Sequence, residues 1–405
     1  MSVQQTLTPN NNYSYFQRLL KWIILCVLIG FCSGSAAALF LYTLDLVTDF
    51  RESHLWMVAF LPIAGFMVGW CYHRFGQQTE AGNKLLLATI QQPTQKTIPW
   101  IMAPLIYLGT LITHLFGGAA GREGTALQMS GALADQLSRP FRLNPEDRRT
   151  LLIASIAAGF GAVFGTPLAG FIFALEINRK IALHYTILVP VLAASILADL
   201  VTRLWGIPHT TYTIDLIPTI SWLSIGYTIM AGAVFGVCAF LFVQIMHVAT
   251  RQYKNRISYP PLRPLVGGIV VVLLFWWIGN SKYMGLGIPI IVESFSEPME
   301  VYDFALKMIL TILTLSAGFK GGEVTPLFFI GALLGNTLSI WIPLPLSMLT
   351  GLGFVAVFAG ATHAPLACMV MAMELFGKEV LPFAAIACIM AFLLSGKKSI
   401  YQDHS

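Results

Sequence analysis

Two stretches lying 200 residues apart each set a carboxylate and a hydroxyl in a glycine-rich break. Gly121-Arg122-Glu123-Gly124-Thr125 is echoed by Gly321-Gly322-Glu323-Val324-Thr325. Each break leads into an apolar run expected to be helical, Thr125 to Leu137 in the first case and Pro326 to Leu334 in the second. Pro326 suits a first helical turn, because its missing N–H has no partner there anyway. A helix start exposes unpaired N–H groups and a partial positive charge, so it is a ready site for an anion. A third start is expected at Ala81-Gly82-Asn83-Lys84-Leu85, with Asn83 as its cap and an amide free to donate. Three such starts can converge on one anion. Glu123 is the sharpest single residue of the set. Its carboxylate competes with an anion for the same N–H donors, and protonation removes that charge and releases them. Anion binding and proton uptake would then be coupled. The bland alternative is a capping Glu paired with Arg122, but an intramembrane Glu is costly enough to be presumed functional. Glu323 stands at the equivalent place. Bare, it repels an anion; protonated, it can donate or relay a proton, and Lys320 either offsets its charge or simply reaches an interface.

The elements that must hold these residues are apolar. Hydrophobic residues make up 56% of the 405 and charged residues 11%, against roughly 25% charged in soluble domains. Runs of about 20 residues, the length that spans a bilayer, recur about ten times. Clear examples are Trp22 to Leu44, Leu55 to Cys71, Leu151 to Leu175, Trp222 to Val248, Leu265 to Ile278 and Pro382 to Leu394. A further echo at offset 198 sets Pro167-Leu168-Ala169 through Glu176 against Pro365-Leu366-Ala367 through Glu374. The chain reads as two copies of one unit, and paired Gly/Pro-interrupted segments in a membrane protein point to a midplane binding site. The expected organisation is a tail over 1–20, a first transmembrane repeat over 21–210 and a second over 211–405 that ends in a short tail. Neither a cleaved signal nor a soluble regulatory domain is expected.

Arg251, Lys254, Arg256 and Arg263 form a connection without an acid, and Arg139, Arg142, Arg148 and Arg149 cluster in another. With Lys397 and Lys398 near the end, the positive-inside tendency makes these loops and both termini cytoplasmic. The net charge of +5 is scattered among such connections, which argues against nucleic acid as a partner. Six cysteines without a Cys-x-x-Cys pair suggest packing, with no metal or cofactor. His114 and His363 are expected to be hydrogen-bonded structural residues rather than proton carriers. Glu176 and Glu374, each ending an apolar helix, read as structural acids, and Phe328 and Phe329 as packing. An intramembrane hydrolase built on Ser130 and His114 is the reading from another class, but no Gly-x-Ser-x-Gly elbow is present.

Gly121-Arg122-Glu123-Gly124 resembles the glycine–basic–glutamate–glycine signature of the CLC chloride channel and proton-coupled antiporter family. Ala158 through Gly170 is similar to the family's following helix junction, Tyr283-Met284-Gly285-Leu286-Gly287 to a glycine motif of its second half, and Ser399-Ile400-Tyr401 to the segment with its anion-contacting tyrosine. The resemblance implies an all-α polytopic membrane protein, an inverted repeat of tilted and broken helices. It implies a homodimer in the lipid bilayer with one pore per subunit, a gating glutamate at Glu123, and a plasma-membrane location, the inner membrane if bacterial. Anion contacts would come from Asn83, Gly124, Thr125, Val324, Thr325 and Tyr401. Chloride-selective members have Gly-Ser-Gly-Ile-Pro where this chain has Gly82-Asn83-Lys84-Leu85, and Gly-x-Phe-x-Pro where it has Gly322-Glu323-Val324-Thr325-Pro326. They usually have proline at the position of Thr125. These departures resemble the fluoride-exporting, proton-coupled branch, although Lys84 replaces an Asn expected there. Ile177 stands where chloride–proton antiporters carry an inner glutamate. Fluoride is small and strongly hydrated, so stripping its water calls for compact donors such as the Thr125 and Thr325 hydroxyls and the Asn83 amide. A voltage-gated-type chloride channel or chloride–proton antiporter is the alternative.

Overall fold

The computed structural model describes residues 15–93, 96–178 and 185–401. Residues 1–14 of the expected N-terminal tail and 402–405 lie outside it, while residues 15–20 already open the first helix. Sixteen α-helices are described, and they fall into two runs of eight. The first run is α1 (Tyr15–Ser53), α2 (Leu61–Phe75), α3 (Asn83–Gln91), α4 (Met102–Leu115), α5 (Glu123–Asp135), α6 (Pro145–Phe164), α7 (Pro167–Glu176) and α8 (Tyr185–Leu204). The second is α9 (Trp222–Arg256), α10 (Leu262–Ile278), α11 (Ile288–Glu293), α12 (Asp303–Ser316), α13 (Val324–Leu338), α14 (Leu346–Thr362), α15 (Pro365–Phe376) and α16 (Leu381–Leu394). Each run opens on a long helix, of 39 and 35 residues. Each reaches its glycine break after a 14-residue helix, α4 or α12.

Continuous spans are fewer than the hydropathy suggests. Among the described residues four helical stretches, at 16–53, 55–75, 186–204 and 222–256, are long and apolar enough to cross a membrane, and six more apolar helices have only 10–17 residues. The run from Leu151 to Leu175 is therefore not one span. It divides at Gly165-Thr166, where Gly165 takes a left-handed φ of 70° and Pro167 starts α7. Proline cannot continue a helix and glycine ends one cheaply, so the short helices stop inside the protein. Non-helical backbone at that depth survives only where other helices enclose it.

The centre is built accordingly. All fifteen residues of α13 are buried. α13 lies so close to α14 that a Cβ on Gly331 would sit 2.1 Å from the Gly353 carbonyl oxygen. Small residues permit such close approach between membrane helices. The periphery is apolar towards the outside: Phe31, Leu39 and Phe50 of α1 are exposed, as are Trp56, Trp205, Trp222 and Trp277 near helix ends. Tryptophan at helix ends suits the membrane–water interface.

Two sets of contacts relate the runs as a two-fold would. The α7 terminal carboxylate, Glu176, accepts from the Leu366 and Ala367 N–H groups at the start of α15, at 3.1 and 2.9 Å. Glu374 at the end of α15 accepts in return from Leu168 and Ala169 at the start of α7, at 2.9 and 2.7 Å. α7 and α15 are thus antiparallel, each capped by the other. At the breaks, Gly121 N–H donates to the Gly322 carbonyl at 2.6 Å and Gly322 N–H to the Gly121 carbonyl at 2.8 Å. The arrangement is that of an inverted repeat.

Candidate functional site

The Gly121–Gly322 bridge brings the starts of α5 and α13 together. A Cβ on Gly322 would lie 2.6 Å from the Gly124 nitrogen, so only glycine permits this approach. The third start joins them: a Cβ on Gly124 would sit 3.1 Å from both Asn83 Nδ2 and the Gly322 Cα. The three expected helix starts therefore meet. Their boundaries differ a little from expectation. α5 begins at Glu123 and α13 at Val324, while the cap of α3 is Gly82, with φ of 54°, rather than Asn83. Among the described residues the Asn83 Oδ1 has no hydrogen-bond partner, and no side chain caps α3.

Glu123 is fully buried. Its carboxylate does not cap its own helix in isolation, nor does it chiefly pair with Arg122. Thr325 N–H donates to Oε2 at 3.0 Å, the Thr325 hydroxyl donates to Oε1, and Arg122 N–H donates to Oε2 at 3.1 Å. The Arg122 guanidinium Nε stands 3.8 Å from Oε1. The carboxylate of one repeat thus sits on the helix start of the other, where an anion would otherwise find the same donors. Thr325 is neither a free donor nor a conventional cap, since its hydroxyl holds Glu123. Thr125 is turned elsewhere: its hydroxyl lies 2.6 Å from that of Thr110 on α4.

A cavity of about 690 Å³ leads to this cluster from the side of Lys254 and Arg263 and stops short of Glu123. Asn83, Lys84, Gln128, Glu323 and Tyr401 line its inner part. The buried Tyr401 hydroxyl has no partner among the described residues, and its ring meets Phe173 edge-on at 6.0 Å. Glu323 and Glu123 therefore occupy different places, the first in the cavity wall and the second beyond its end. Lys320 does not offset Glu323 as expected. Its Nζ lies 3.8 Å from the centre of the Tyr72 ring.

Other expectations resolve plainly. Both ring nitrogens of His114 face carbonyl oxygens, Nδ1 that of Thr110 at 2.9 Å and Nε2 that of Ala120 at 3.0 Å. The ring thus braces the break that precedes Glu123 and is not available to activate Ser130. Phe328 stacks on Phe354 at 4.0 Å, and Phe329 underlies Lys307, whose Nζ is 4.8 Å from the ring centre. Tyr212, in the connection between α8 and α9, packs on the same aromatic cluster 5.1 Å from Phe354. Burial pushes its phenol up to about 12, so it remains neutral. Thr110, Tyr72 and Tyr212 had no sequence signal, because each is brought in by packing between elements far apart in the chain.

The family profile described as voltage gated chloride channel matches residues 64–396. A chloride/fluoride channel protein of Pseudomonas syringae pv. tomato is 50% identical over 390 residues, covering 95% of this chain and 86% of that one. The crystal structure of a CLC-type fluoride/proton antiporter superposes with a TM-score of 0.92 at 34% identity, covering 96% and 98% of the two chains. The structure of a slow cyanobacterial chloride/proton antiporter shares the fold, with a TM-score of 0.82 at 18% identity over 94% and 96% of the chains.

Proposed function

The chain belongs to the voltage gated chloride channel family, and from that membership we propose that it exchanges fluoride for protons, exporting the anion. One observation carries the reading: the Glu123 carboxylate occupies the N–H and hydroxyl of Thr325 at the end of an open cavity. While charged, it closes the path by satisfying donors that an anion needs. A proton arriving on Glu123 removes the charge and weakens its hold on Thr325. The anion can then take those donors. When the anion leaves, Glu123 must give up its proton before it can return, so each movement requires the other. Glu123 is the gate and proton carrier in this scheme, and Glu323 stands on the cavity side, where its proton tunes the repulsion an arriving anion meets.

Fluoride is favoured over chloride by the donor set. Asn83, Thr325 and Tyr401 offer compact neutral donors, which suit a small anion that must lose its water. The relatives named for fluoride support the same choice. The basic connections with Lys254 and Arg263 support a cytoplasmic cavity mouth, and with it cytoplasmic termini. The working unit in the membrane is a homodimer with one path per subunit. Gly124 and Val324 would line the anion's passage with backbone N–H groups, and Thr125 would support it through Thr110. The test is anion efflux from liposomes loaded with fluoride or with chloride while external pH is recorded. Fluoride efflux faster than chloride and accompanied by proton uptake is expected. Equal rates with proton uptake would leave a chloride–proton antiporter, and efflux without pH change a channel.

A further inference from the structure

The connection from α8 to α9, residues 205–221, has no helix of its own, yet it is tied to both repeats. His209 lies against the α6–α7 break, where a Cβ on Gly165 would sit 2.5 Å from its Cδ2, and its Nε2 is 3.2 Å from Asp199 Oδ1 on α8. Ile214 lies on α14, with its Cδ1 2.7 Å from where a Cβ on Gly351 would be. Between these anchors Tyr212 turns inward, its ring 5.4 Å from that of Phe295 and 5.1 Å from that of Phe354. α9 runs from this connection to the basic end beside the cavity mouth, and its 35 residues extend about 50 Å. Tyr212 therefore enters from the face opposite the mouth. Phe354 stacks in turn on Phe328 at 4.0 Å, one turn beyond Thr325 on α13. The Tyr212 phenol is close enough to Arg122 and Glu123 to feel both charges, and its hydroxyl is hydrogen-bonded to the Thr210 side chain. Glu123 thus has the cavity on one side and this phenol on the other.

A protonated Glu123 that leaves Thr325 is a buried carboxylic acid stripped of its donors. A buried polar group without a hydrogen bond is costly, so the released state needs a host. Four ionisable groups face Glu123: Arg122 beside it, Glu323 and Tyr401 from the cavity side, and Tyr212 from the outer side. The guanidinium favours the charged carboxylate over the acid. Glu323 and Tyr401 stand where an arriving anion enters. Tyr212 is neutral and lies on the other side, and a phenol both accepts and donates, which matches the O–H and the carbonyl oxygen of an acid. We propose that Tyr212 is the outward host of the gate, a positioning residue that holds protonated Glu123 away from Thr325 while the anion takes the Thr325 donors. This deepens the fluoride/proton reading and rests on it. The proton stays on Glu123 throughout, because the phenol only accepts its O–H as a hydrogen bond. Hosting raises the share of released gate at any given proton supply, so its loss is offset by more protons.

The experiment measures fluoride efflux from liposomes against external pH for wild type and Tyr212→Phe, and repeats the substitution in a Glu123→Ala background. Phenylalanine keeps the ring against Phe295 and Phe354 and removes the hydroxyl. Loss of one neutral hydrogen bond should slow Tyr212→Phe roughly threefold to tenfold at neutral external pH. The rate should recover as external pH falls, with the half-maximal pH displaced downward by about half to one unit. In Glu123→Ala no carboxyl needs a host, so adding Tyr212→Phe should leave the fluoride leak unchanged. An undisplaced pH profile, or the same loss of rate in both backgrounds, overturns the proposal, because a purely structural phenol or one that contacts the anion directly would act without Glu123. Should Tyr212→Phe not fold, Tyr212→Met carries the same comparison, and failure of both to yield folded protein overturns it in favour of a structural anchor. A wild type that moves no fluoride refutes the exchange reading itself, an outcome distinct from an undisplaced pH profile in an active protein.

Discussion

Glu123 and Thr325 lie 202 residues apart, yet the carboxylate of the first is held by both the N–H and the hydroxyl of the second. Neither donor belongs to Glu123's own repeat. The proposed gate, held across the repeat interface, can leave without unwinding its own helix. Its release is governed by these two hydrogen bonds, a third from the Arg122 N–H and one proton.

Removing a compact donor should lower selectivity rather than transport as a whole. A neutral hydrogen bond contributes about 0.5–1.5 kcal/mol net, so Thr325→Ala and Asn83→Ser should each reduce the fluoride-to-chloride rate ratio by roughly threefold to tenfold. Paired efflux assays in the two anions measure it. An unchanged ratio in both variants would reduce these residues to structural roles.

Glu323 should act through its proton. Two negative charges beside an arriving anion repel it, and protonation of the cavity-side carboxyl removes one of them. Transport by the wild type should therefore weaken as pH rises. Glu323→Gln keeps the shape and a donor, whereas Glu323→Ala keeps neither, so the alanine variant should be the slower. Size-exclusion profiles read beside the rates separate this from misfolding. Two well-folded variants at full, still coupled speed would remove Glu323 from the mechanism.

Glu176 and Glu374 should matter for stability alone. Each carboxylate satisfies two N–H groups at the partner helix start, and loss of such a cap costs about 1–2 kcal/mol. Glu374→Ala should lower the thermal unfolding temperature in detergent while the folded fraction keeps its proton-to-fluoride ratio. A changed ratio in fully folded protein would place Glu374 on a proton path instead.

Much of this was legible in the chain. The Gly-Glu-Thr echo at offset 200 marked both breaks, and glycine beside an acid in apolar surroundings is rare enough to single out Glu123 and Glu323. The Pro-to-Glu echo at offset 198 was equally visible. That each Glu caps the other copy's proline end was not, because it depends on α7 and α15 running antiparallel. The same limit applies to Thr125, whose hydroxyl turns to Thr110, and to Lys320, whose ring partner Tyr72 lies on a distant helix. Hydropathy also merged α6 and α7 into one apparent span, since it registers apolar content and is blind to a single left-handed glycine.

The central claim is that the Glu123 carboxyl couples the two ions, and Glu123→Gln tests it most directly. A glutamine amide has nearly the same shape but bears neither the charge that competes for Thr325 nor a titrating proton. Liposomes with an outward fluoride gradient and a pH electrode outside report both movements at once. Wild-type protein should take up protons as fluoride leaves, and Glu123→Gln should show no fluoride-driven proton uptake, whatever fluoride leak remains. Proton uptake persisting at the wild-type ratio in Glu123→Gln would contradict the account.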